Sequence, residues 1–186
     1  MRLNNGDILE VVQEVKLVGV IVDRSLSWQK NTDYICRKAT QKLWIIRRLK
    51  KMDLDTLTLL DVYKKEVRCI LEHAVPVWHS SLTKRQVVQI EKVQKIAFRI
   101  ILGNSYTNYY TACTLLNLEP LEFRRTQLCM NFAKKDLKKE HTIFSRIRAQ
   151  SKTRAVPKQV IELKCRTKRY QNSSIPYLSR LLNKQS

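Results

Sequence analysis

The stretch VKLVGVIVDRSLSW, Val15 to Trp28, decides how the chain is read. It opens on aliphatic and β-branched residues, passes Gly19, turns through Asp23-Arg24-Ser25 and leaves through Leu26 and Trp28. Gln13-Glu14 separates it from a second aliphatic run, Ile8 to Val12, and the two runs together fit either a β-hairpin or two edge strands. Gly19 marks a bulge or a close approach of backbone. Leu17, Gly19 and Ile21 alternate with Val18, Val20 and Val22, so a strand here is apolar on both faces and expects cover on both sides. Left uncovered, such a strand invites pairing with another chain, and removing residues 1–27 is expected to improve solubility.

No second sheet-forming run of this quality follows. From Asn31 the period lengthens: Ile35, Ala39, Leu43, Ile46 and Leu49 recur at helical spacing, with Asn31 or Thr32 as N-cap. Asp53 or Asp55 opens a second helix through Leu57, Leu60, Val67 and Leu71, ending before Pro76. Thr83 and Gln86 have capping-box spacing, and a third helix runs from there through Ile90, Val93, Ala97 and Ile101 to Gly103. A short helix is expected over residues 109–116, and a fifth from Pro120 through Leu121, Leu128, Phe132 and Leu137. Beyond about residue 150 the chain is basic and weakly periodic, which predicts disorder in the unbound state, relieved at most by a strand near 159–164 and a short helix near 175–182. The expected architecture is mainly α. A short β-hairpin in residues 1–28 precedes a helical bundle over 29–150, and a basic, largely disordered tail occupies 151–186.

Thirty-six Lys and Arg against sixteen Asp and Glu leave a net charge of +20, which favours a polyanionic partner. The excess is segmental: residues 1–30 are neutral, whereas 31–51 carry +6, 83–103 carry +4, 120–139 carry +4 and 151–186 carry +8. Five cysteines at unrelated spacings make no disulfide framework. The first residues lack the apolar run of a signal peptide, and no stretch approaches the roughly 20 apolar residues of a membrane span. An intracellular chain, nuclear or cytoplasmic and neither secreted nor membrane-bound, is the expectation.

Metal-assisted phosphoryl transfer needs clustered carboxylates, and no two acids stand together here to hold a metal pair. Asp23 ends the second aliphatic run and reads as a turn or cap residue. His73 and His79 lie six apart across Pro76, which matches no helical metal face, and no cysteine spacing matches a zinc site. Three scattered glycines form no phosphate loop. No catalytic residue, metal, cofactor or small-molecule substrate is expected, and the chain as given is not read as an enzyme. Binding is another matter. Lys38, Lys42, Arg47 and Arg48 on the first helix, and Lys92, Lys95 and Arg99 on the third, place cations a turn apart beside apolar stripes. Such rows suit phosphates better than base edges, with a plain solvated surface as the competing explanation. Trp44 lies among the first set as a potential stacking surface, whereas Trp28 and Trp78 read as core.

VKLVGVIVDRSLSW is followed in order by TDYICRKATQKLWIIRRLKK, YKKEVRCILEHAVPVWHSSLTKRQVVQIEKVQKIAFRIILG and YYTACTLLNLEPLEFRRTQLCMNFAKK, with SIPYLSRLLN near the end. This succession resembles the region after the catalytic palm in reverse transcriptases of jockey-like non-LTR retrotransposons. Tyr63, Glu72, Pro76, Val77, Trp78 and the helix from Ile90 to Gly103 fall on positions that recur there. The resemblance implies that the hairpin corresponds to the primer grip and the basic helices to a thumb closing over a template–primer duplex. It implies RNA–DNA hybrid or duplex as the partner, bound through phosphates with tolerance of sequence. It also implies that the parent RNA-directed DNA polymerase carries a palm with a Tyr-X-Asp-Asp metal motif, of which this chain has no counterpart. The chain then reads as a C-terminal fragment whose strand belonged to a missing palm sheet. An inert decayed fragment and a protein-interaction module pairing through an exposed strand edge are the alternatives.

Overall fold

Val18 and Gly19 both take positive φ, 45° and 83°, the conformations that a two-residue hairpin turn requires. A turn at this point splits the aliphatic run into its own two strands. β1 (Glu14–Leu17) pairs antiparallel with β2 (Val20–Asp23), Leu17 opposite Val20 and Glu14 opposite Asp23. Gly19 is therefore a turn residue and not a bulge. The close approach is real, because a Cβ on Gly19 would stand 3.1 Å from His73 Nε2. The computed structural model describes residues 12–138, 143 and 160–184, so Ile8 to Val11 of the first aliphatic run lie outside the described residues.

The hairpin is tied to the helices that follow. Val20 is buried in the core and Val22 packs against it. The Ile21 amide donates to Asn31 Oδ1 at 3.1 Å, His73 Nε2 meets the Val18 carbonyl at 2.9 Å, and the Gln86 side chain donates to the Ser27 carbonyl at 2.9 Å. Cover comes from one side only: Leu17 and Val18 remain exposed. The expectation that removing residues 1–27 improves solubility accordingly reverses. Deletion uncovers the sites of Val20 and Trp28 and strands the Gln86 and Asn31 side chains, so a lower soluble yield and a lower Tm are expected. A soluble fraction equal to or above that of the full chain would contradict this packing.

Helix α1 (Gln29–Lys51) starts from Trp28, which sits in the left-handed region with φ 61° and a buried indole. Asn31 and Thr32, expected as caps, lie inside the helix and are buried; Asn31 is committed to the outer edge of β2 instead. Asp55 caps α2 (Thr56–Val62) by accepting from the Thr58 amide at 3.0 Å. The helix widens into a π turn over Tyr63–Arg68 before α3 (Cys69–Glu72). Leu59, Tyr63, Val67 and Leu71 are all buried at strict four-residue spacing. In an α-helix that spacing drifts by about 40° per step, and a wider turn keeps the row facing inward. The chain breaks at Ala74 (φ 52°) and resumes as α4 (Val75–Trp78), with Pro76 in its first turn.

α5 (Lys84–Leu102) begins with the capping box foreseen at Thr83 and Gln86 and ends at Gly103. α6 (Tyr109–Leu115) and α7 (Leu121–Leu137) follow, the latter preceded by Pro120. In the tail, Val160 is the one described residue to make a bridge where a strand was expected near 159–164, residue 159 lying outside the described residues. A short α8 (Lys168–Gln171) precedes α9 (Ser174–Lys184), the helix expected near 175–182. α9 docks on α7 and α4, burying Leu178 and Leu182, while Ser174 Oγ donates to the Val77 carbonyl at 2.6 Å. No helix among the described residues is long and apolar enough to cross a membrane.

Candidate nucleic-acid interface

α1 and α5 pack along each other and begin at the same end, where Gln89 of α5 donates to Asp33 of α1 at 2.7 Å. On α5, Ile90, Val93, Ala97 and Ile101 face the core. Arg85, Val88, Lys92, Lys95 and Arg99 recur at three- and four-residue steps on the opposite side. Glu91 is the acid of this helix, and it points inward. Its carboxylate accepts from the Tyr109 hydroxyl and from the amides of Leu121 at 3.3 Å and Glu122 at 2.6 Å, which begin α7. Pro120 has no N–H and no capping side chain, so a carboxylate from another helix does the capping. Gln94 extends the network: it accepts from the Tyr63 hydroxyl and donates to Tyr109 Oη at 2.8 Å and the Glu119 carbonyl at 3.1 Å. Burial raises the pKa of both tyrosines, and Glu91 adds to the rise at Tyr109, so both hydroxyls stay protonated as donors. The negative charge of α5 is thereby drawn into the core, and its outer stripe is left to cations.

The exposed stripe of α1 is Arg37, Gln41, Trp44, Arg48 and Lys51, at steps of four, three, four and three. Arg47 lies between this stripe and α5. Gln29 reaches Gln89 of α5 at 3.5 Å, and eighteen residues, about five turns, bring Arg47 back to the same side. Of the seven cations singled out from the sequence, Arg47, Arg48, Lys92, Lys95 and Arg99 share the outer face of this two-helix layer. Lys38 and Lys42 do not. They lie on the other flank of α1, where Lys42 Nζ pairs with Glu66 of the π turn at 2.9 Å and Lys38 stands 5.9 Å from the Tyr34 ring. On the outer face, the Lys95 ammonium sits 5.0 Å from the ring centre of Tyr109 and the Arg99 guanidinium 5.2 Å from that of Tyr106, cation–π contacts that fix where these two charged heads stand. No described carboxylate forms an ion pair with Arg37, Arg47, Arg48, Lys92, Lys95 or Arg99. Arg37 and Arg85 belong to this face as well and were not among the seven cations singled out from the sequence. The alternating steps of four and three counted from Trp44 would have found Arg37.

Among the described residues, the Cys36 and Cys129 thiols and both histidines are otherwise employed. Burial pushes the thiols of Cys36 and Cys129 up to about 12, so both stay protonated. His73 is spent on the Val18 carbonyl. His79 is buried against Arg125; burial first, and then the guanidinium, push it down to about 4. It is therefore neutral, its Nδ1 accepts from Arg125 Nε at 3.4 Å, and Nε2–H donates to Thr126 Oγ1 at 3.2 Å. The pH dependence has a definite sign. The unfolded chain takes up this proton below about 6.5 and the folded one only near 4, so stability falls as pH drops through that window, by about 3 kcal/mol at most. His79→Gln is expected to flatten the Tm profile between these limits; an unchanged acid slope in that variant would place the titration elsewhere.

No protein-family model, no curated protein and no solved structure matches this chain.

Proposed function

We propose that this protein binds RNA–DNA hybrid or duplex nucleic acid through its phosphates, with tolerance of sequence, in the manner of a reverse-transcriptase thumb that holds a template–primer and does not extend it. The observation that carries the reading is the outer face of α1 and α5, where cations from two neighbouring helices stand without a described carboxylate partner. Lys92 to Arg99 span about 10 Å along α5 at ~1.5 Å per residue, enough to meet successive phosphates of one strand. Phosphate contacts position a duplex without reading its bases, which is what Lys and Arg heads on a convex helical face supply. The test is a titration of duplex at several salt concentrations. With about six phosphates neutralised, log K falls against log salt with a slope near −5, and a slope near zero removes the reading.

One observation favours a second reading, the pairing of another chain along β1. Antiparallel strands point alternate amides outward, and on β2 the outward Ile21 amide is taken by Asn31, whereas those of Glu14 and Lys16 on β1 have no acceptor among the described residues. Binding of that kind has no steep dependence on salt, so the same titration separates the two.

A further inference from the structure

Trp44 is 56% exposed, whereas Trp28 and Trp78 are 6% and 0% exposed. Two of the three tryptophans thus serve the core, and the third stands on the cationic face with more than half of its surface exposed. It occupies the middle of the exposed stripe of α1, one turn from Gln41 and Arg48 and two from Arg37, with Arg47 toward α5. An indole this exposed is not part of the core, where its helix is already anchored by Ala39, Leu43 and Ile46. What it offers is a flat aromatic surface between guanidinium groups that meet phosphates on either side. Every nucleobase has a face that stacks on such a surface, but a base inside a duplex has both faces occupied by its neighbours.

We propose that Trp44 stacks an unpaired base, so that the preferred ligand of this face is a duplex with a single-stranded overhang. The duplex lies across the cations of α1 and α5 while the first unpaired base turns onto the indole. This inference rests on the phosphate-binding reading above and adds a choice of nucleic-acid form to it. It excludes base identity as the main determinant, because stacking tolerates any base.

The experiment compares one duplex, blunt and with a short overhang, against the full-length chain and its Trp44→Leu and Trp44→Phe variants. Wild type is expected to bind the overhang form roughly tenfold more tightly, the leucine variant to lose that preference, and the phenylalanine variant to regain part of it. Tryptophan emission is expected to quench on binding the overhang form and to lose that response in Trp44→Phe, which keeps the two buried tryptophans. Far-UV dichroism confirms that the variants fold. A leucine variant that keeps the full preference, or quenching that survives in the phenylalanine variant, overturns the stacking role. Either result leaves phosphate binding standing, because both forms still bind with steep salt dependence. Absence of binding to both forms in wild type overturns the phosphate reading itself, and the stacking role with it.

Discussion

Replacing Glu91 with leucine is expected to cost about 3–5 kcal/mol, a large part of the ~5–15 kcal/mol by which a domain of this kind is stable. The side chains are similar in size, so the loss is electrostatic. Glu91 takes the Tyr109 hydroxyl and the first two amides of α7, and its replacement leaves three donors without an acceptor. Glu122 is exposed, so water can recover its amide; the Tyr109 hydroxyl and the Leu121 amide sit in buried surroundings and cannot be repaired that way. Removing the carboxylate also withdraws the nearest compensation for Arg125, which is fully buried and whose charge burial opposes while Glu91 and Glu122 support it. Thermal unfolding should fall by roughly 10 °C in a chain of this length. Tyr109→Phe deletes one donor and keeps the carboxylate on the two amides, so about 1–2 kcal/mol is expected from it. A leucine variant within about 1 kcal/mol of wild type would show that α7 does not depend on this cap.

Reversing two charges on α5, Lys92→Glu with Arg99→Glu, is expected to weaken binding to duplex on the order of 100-fold near ~0.1 M salt and to lower the salt slope by about 2. Both heads are exposed and neither pairs with a described acid, so stability should stay within about 0.5 kcal/mol apart from the loss of the Arg99 contact with Tyr106. The informative control is Lys38→Glu with Lys42→Glu, which changes net charge by the same amount. Those residues lie on the far flank of α1, and Lys42 already faces Glu66, so the loss of affinity there should be several times smaller. Equal losses from the two pairs would mean that the duplex responds to total charge and not to a face. The comparison is the sharpest way to separate a binding surface from a chain that is merely basic.

Much of this was written in the chain. The periods of α1, α5 and α7, the capping box at Thr83 and Gln86, the cap at Asp55 and the stop at Gly103 are local signals, and local physical chemistry is enough to act on them. The surplus of cations on two helices was legible for the same reason. Other features depend on neighbours remote in sequence. Whether Asn31 caps its own helix or closes the edge of a strand depends on where β2 comes to lie, and the strand prevails. The docking of α9 depends on the surfaces of α4 and α7, which no basic and weakly periodic segment announces. Composition and period determined a hairpin, a set of amphipathic helices and a large excess of cations. Only the tertiary structure decided which cations stand together, because Lys38 and Arg48 lie only about 80° apart around α1, and the packing of α5 and the π turn leaves Arg48 on the open face and Lys38 on the flank of Tyr34 and Glu66.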